Sequence, residues 1–181
     1  MLLCPIMLSP QTDAMSSPMS SHDLCTDLLD AWRVHNQILL FLLANIPAKG
    51  FSAVPAGSKG RDVKAQFAHL QSVRTGWLQY HRTGIRLTGK RYDKTHPPSR
   101  AQLKKALTRS GKEIEQFLGE AFKGNAHVRM FGKNPVRWMG YLISHESHHR
   151  GQIMLAVKQS GAKLPESVAL NGLWGKWIFG K

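Results

Sequence analysis

The stretch Ile143–Ile153, ISHESHHRGQI, places His145, His148 and His149 within five positions, with an arginine and a glycine directly after them. Reading outward in both directions, Trp138, Leu142, His145, His149, Ile153 and Ala156 recur at intervals of four, three, four, four and three. That is the spacing of one face of an α-helix. His145 and His149 therefore fall within an otherwise apolar stripe, whereas His148 is rotated about 100° away from it. Side chains at i and i+4 stand about 6 Å apart at Cβ, so two imidazoles can converge on one ion at about 2.0–2.1 Å each. Burial disfavours the protonated ring, and a second cation nearby disfavours it further. A metal uses the neutral form and satisfies a ring nitrogen. A lone histidine on such a face is more simply a core residue bonded to a carbonyl. Two of them, one turn apart, point to metal binding.

The helix holding this stripe starts at Asn134-Pro135, since proline suits the first helical position, and runs to Ser160, with Gly161 placed to end it. Upstream, Leu24, Leu28, Ala31, His35, Ile38, Leu39 and Leu42 give a first helix over about Ser21–Ile46, with Ser21 or Asp23 as cap and Pro47 as terminator. PAKGFSAVPAGSKG reads as a loop. A second helix follows over about Arg61–Arg82, with Val63, Phe67, Leu70, Trp77 and Leu78 as its apolar stripe. Ser99 and Gln102 form a capping-box pattern before a third helix with Leu103, Ala106, Leu107, Ile114, Phe117, Leu118 and Ala121 on one side; Lys105, Arg109 and Lys112 share the other. Nothing between the helices alternates with period two. Four helices of this length predict an all-α, antiparallel four-helix bundle.

The 181 residues suit a single domain. Residues 1–20 read as a leader without helical period, cut by Pro5 and Pro10 and lacking the charged start of a signal peptide, so the domain is expected over 21–181. No run approaches the roughly 18 apolar residues of a membrane span. Cys4 and Cys25 are the only cysteines, too few for a disulfide framework or a cysteine zinc motif, which fits a reducing cytoplasm. The net charge of +14 is uneven: fourteen Lys/Arg lie between Arg82 and Arg137, against Asp93, Glu113, Glu115 and Glu120. Such an excess attracts anions. Without aromatic interleaving, zinc-finger spacing or an RNA-binding signature, specific nucleic-acid binding is not expected.

A third ligand must come from another helix, and His35, His69 and His81 are the histidines that lie on one. His35 sits within the first stripe and His69 at the edge of the second; spacing does not choose between them. HESHHRGQI resembles the signature of the DinB/YfiT-like family, in which His-x-x-x-His-Arg-Gly-Gln marks the last helix of a four-helix bundle. VKAQFAHLQSVRTGWL is similar to that family's second helix, VHNQILLFLL to its first, with Asn36 at a commonly polar position, and QSGAKLPESVALNGLW to its tail, where an aromatic follows a Gly/Pro-containing loop. Together these cover about Leu24–Trp177. The resemblance implies His69, His145 and His149 as ligands of a divalent ion, nickel or zinc, with open positions for water, and it implies a homodimer. Arg150 and Gln152 match the motif but are expected to cap or brace neighbouring helices.

Three protein ligands with open positions describe a catalytic metal centre. The resemblance implies a metal-dependent S-transferase acting with a low-molecular-weight thiol and an electrophile. No individual catalytic residue stands out. A non-catalytic metal-binding or DNA-damage-response protein is the alternative, and a basic nucleic-acid-binding module a further one. His145-Glu146-Ser147-His148-His149 also satisfies the His-Glu-x-x-His pattern of a metalloprotease. Off the stripe, Glu146 is expected at the surface or behind the ligands, not as a general base.

Overall fold

The computed structural model of the protein describes residues 23–86 and 97–179, so the expected leader lies outside the described residues. Among these residues the regular structure is entirely helical. Helix α1 (Leu24–Asn45) opens at Asp23, whose carboxylate accepts from the Cys25 N–H at 3.2 Å and the Thr26 hydroxyl at 2.8 Å. It stops just before Pro47. Helix α2 (Val63–Thr83) begins two residues later than the expected Arg61, because Asp62 caps it by accepting from the Ala65 N–H at 2.6 Å; Gly84, at φ 76°, ends it. The predicted capping box of Ser99 and Gln102 opens α3 (Arg100–Phe122). Asn134 accepts from the Arg137 N–H at 3.1 Å and Pro135 takes the first position of α4 (Pro135–Gln159), as the sequence predicts.

The chain after α4 departs from its expected loop. Ser167–Trp174 winds as a π-helical segment and leads into a short helix, α5 (Gly175–Phe179). The glycine in this tail marks close packing, not a turn: a Cβ at Gly172 would collide with the Phe41 ring. Val168 and Leu173 pack on the core, but Leu170, Trp174, Trp177, Ile178 and Phe179 are left exposed.

Helices α1 and α2 each pack against α3 and α4. Partners on α2 ascend as those on α4 descend, Gln66 meeting His149 and Trp77 meeting Tyr141, so these two helices are antiparallel. Two apolar clusters fill the interior. One gathers Ile38, Leu42, Phe67, Leu70, Leu107 and Ile153; the other gathers Trp32, Leu78, Ile114, Phe117, Trp138 and Leu142. No described helix is long and apolar enough to cross a membrane.

Candidate metal centre

Two helices build the site. His69 projects from α2, and His145 and His149 project from successive turns of α4. One ring nitrogen from each lies within 4.8 Å of the other two. The ring centroids stand 5.3 Å apart for His69–His145, 4.9 Å for His69–His149 and 4.7 Å for His145–His149. His149 is buried, while His69 and His145 are half-buried, so the cluster sits where the interior meets the surface.

The surroundings favour the neutral ring at His145 and His149. Burial, followed by the nearby His145, His69, His148 and Arg61, pushes the His149 pKa down to about 4. Burial also lowers that of His145, against the opposing pull of Glu146. Gln66, itself buried on α2, places its Oε1 3.1 Å from His149 Nδ1. A neutral ring donates its proton there and leaves Nε2 as the free base, the arrangement that commonly orients metal-binding histidines. Tyr141 stacks on His145 at 5.6 Å, and the buried His145 Nδ1 has no hydrogen-bond partner among the described residues. Three imidazoles that each offer a ring nitrogen to a common point fit a divalent metal ion.

Of the histidines that spacing left open, the structure brings His69 into this group and places His35 and His81 elsewhere. His35 Nε2 lies 2.8 Å from Glu146 Oε2. His81 is packed among Trp77, Phe117 and Trp138, where its Nδ1 accepts the Arg129 N–H at 3.1 Å. Burial, then the Arg129 charge, brings its pKa down to about 4. His148 is exposed, as its position on the helix predicts. Arg150 and Gln152 do not brace other helices through their hydrogen bonds, which run along α4 to Ser147 at 3.3 Å and His148 at 2.9 Å.

Glu146 corrects the sequence reading most. It is 1% exposed, not at the surface. Arg74, wholly buried on α2, donates Nε to Oε1 at 2.6 Å and Nη2 to Oε2 at 2.7 Å. Arg74 Nη1 donates on to Asn36 Oδ1 at 2.8 Å and to the Leu107 carbonyl at 3.1 Å, and the guanidinium carbon lies 5.0 Å from the Trp32 ring centre. Burial alone would raise the carboxyl pKa; the Arg74 charge and the bonds from Arg74 and His35 overcome it and hold it down at about 2. The buried set Met139, Leu142, Glu146, His149 and Ile153 has intervals of three, four, three and four, so the centre of the inward face runs through Glu146 and His145 lies at its edge. A signal for the partner was present as well: Arg74 continues the α2 stripe of Phe67, Leu70 and Leu78.

An all-helical protein that gathers three imidazoles from two antiparallel helices, one of them carrying His-x-x-x-His-Arg-Gly-Gln, defines a narrow class. The chain belongs to the DinB family, whose family model matches residues 15–177. That match begins inside the segment expected as leader. No curated protein matches the sequence significantly.

Proposed function

We propose that His69, His145 and His149 hold one divalent ion, nickel or zinc, within a four-helix bundle of the family's type, and that the site serves the transfer of a low-molecular-weight thiol to an electrophile. The observation that carries this reading is the approach of the three ring nitrogens to within 4.8 Å of one another. When bound, such an ion lowers the pKa of a water or thiol at its open positions. The chain's own groups present neutral donors. Gln66 retains the His149 Nδ1 proton, the Tyr141 ring limits rotation of His145, and half-burial of His69 and His145 leaves an approach for a small substrate. A protease reading would need Glu146 as general base, and both its oxygens are engaged by Arg74 and His35.

Metal analysis of untagged protein tests the site. About one ion per chain is expected, lost in His69→Ala and His149→Ala and kept in His148→Ala. Equal loss in all three variants would refute the assignment. Thiol transfer, followed with several thiols and a chromogenic electrophile, should disappear on chelation and return with added metal. Retention of full activity in the chelated protein would reject the catalytic reading and favour a metal-binding role alone.

The exposed apolar side chains of the C-terminal segment favour pairing with a second copy of the chain. Light scattering over a range of concentrations, comparing wild type with Trp177→Ser/Phe179→Ser, checks this; a wild type that stays monomeric throughout would exclude it.

A further inference from the structure

The buried ion pair of Arg74 and Glu146 has no place in the chemistry proposed above, and its position asks for a reason. It lies between the two apolar clusters, at a level where all four long helices are tied together. His35 and Asn36 reach it from α1, Arg74 from α2 and Glu146 from α4; Arg74 binds the α3 carbonyl of Leu107, and Trp32 Nε1 donates to that of Gly111 at 2.9 Å. Replacing a buried ion pair by well-packed apolar groups is often neutral or stabilising, so its presence is better explained by specificity than by stability.

From this geometry we infer that Arg74, Glu146 and His35 are positioning residues for the three-histidine cluster: they fix the rotation and axial register of α4 against α2. The inference rests on the metal reading of that cluster. Both features join the same two helices. On α4, Glu146 directly follows His145 and precedes His149 by three residues; on α2, Arg74 follows His69 by five. Each residue along a helix advances about 1.5 Å and turns about 100°. A small rotation of α4 that swung the imidazoles off a common point would therefore also break the two parallel bonds between guanidinium and carboxylate. Those bonds are directional and charge-assisted, and they tolerate such motion poorly. Apolar contacts at the same place would slide more readily.

Cobalt(II) is the probe, because its visible absorption reports coordination geometry separately from occupancy. Wild type and His149→Ala are titrated first. A wild type that takes up no cobalt at the cluster would sink the metal reading itself, whatever the ion pair does. The apolar replacement His35→Leu/Arg74→Met/Glu146→Leu should stay helical and lose no thermal stability in the metal-free state. Its cobalt affinity should nonetheless fall by about 10- to 100-fold, the range for groups that orient ligands, with altered absorption bands. Glu146→Asp keeps the charge while drawing the carboxylate back. It should give a milder loss of affinity and a shifted spectrum, and it serves if the triple variant does not fold. Wild-type affinity and spectrum in Glu146→Asp, or in a folded triple variant, would overturn the inference.

Discussion

Gly111→Ala tests how tightly the polar layer is built. At an exposed helix position such a change stabilises by about 1 kcal/mol, since glycine is the poorer helix former. Gly111 is buried on α3, and a Cβ there would lie 2.5 Å from Asn36 Oδ1 and 2.6 Å from both Cγ and Nδ2. The whole amide is in the way, and it cannot simply swing aside, because its oxygen accepts from Arg74 Nη1 at 2.8 Å. Moving Asn36 would take a partner from a buried cation, where a hydrogen bond contributes about 1.5–3 kcal/mol. Moving α3 away from α1 would instead stretch the 2.9 Å bond from Trp32 to the Gly111 carbonyl. Overpacking of this kind costs about 1–3 kcal/mol. The hydrogen bond given up by Asn36, less the propensity gain, leaves a net loss of about 0.5–2 kcal/mol, or a fall in Tm of roughly 1–8 °C for a chain of this size. Thermal denaturation of the metal-free protein measures it. Gly140→Ala is the control, since that exposed glycine of α4 has nothing within 4 Å of its would-be Cβ and its Tm should rise. A Gly111→Ala variant as stable as wild type, or more so, would refute the claim that the layer is rigid.

Gln66→Leu should weaken metal binding by about 10- to 100-fold, because it removes the group that orients His149; competition with a chromophoric chelator measures this, and an unchanged Kd would remove Gln66 from the site. Metal-free stability should fall with acidity. His81 binds a proton near pH 6.5 when unfolded but only near 4 when folded, so its contribution is complete above pH 6.5 and is lost as the pH drops towards 4. Urea midpoints should decline over that interval, and less steeply in His81→Phe; a flat profile in the wild type would contradict the neutral, buried state of His81. DNA binding, where present, should be sequence-independent and should fade as salt rises, since counterion release drives it. Sequence-selective retention at about 0.2 M salt would move the nucleic-acid reading ahead of thiol transfer.

The helices and their ends were legible because the signals are local. Asn134-Pro135 and the Ser99–Gln102 box act within a turn of where they stand. The choice of His69 over His35 was not legible from spacing, since both lie on or near an apolar stripe and only the packing of α2 on α4 separates them; family resemblance supplied it. Glu146 was misread for a related reason. Counting apolar residues and histidines centres the α4 stripe on His145, whereas the buried face includes a carboxylate that solvent would claim unless a cation met it. That cation, Arg74, lies 72 residues away, and no local rule joins the two. The C-terminal helices were hidden in part by Gly172, which serves close contact with Phe41 of α1 rather than a turn.

The polar layer also divides the core into two compartments, each with its own set of interlocking side chains. Substitutions within one compartment share neighbours and should be strongly interdependent, whereas substitutions on opposite sides of the layer should combine additively. Sequence drift could thus refill the Ile38–Phe67–Ile153 end without forcing matching changes around Trp138 and Phe117. A core partitioned in this way lets the helices diverge in bulk composition while the level at which they are bolted together, and the histidines beside it, stay where they are.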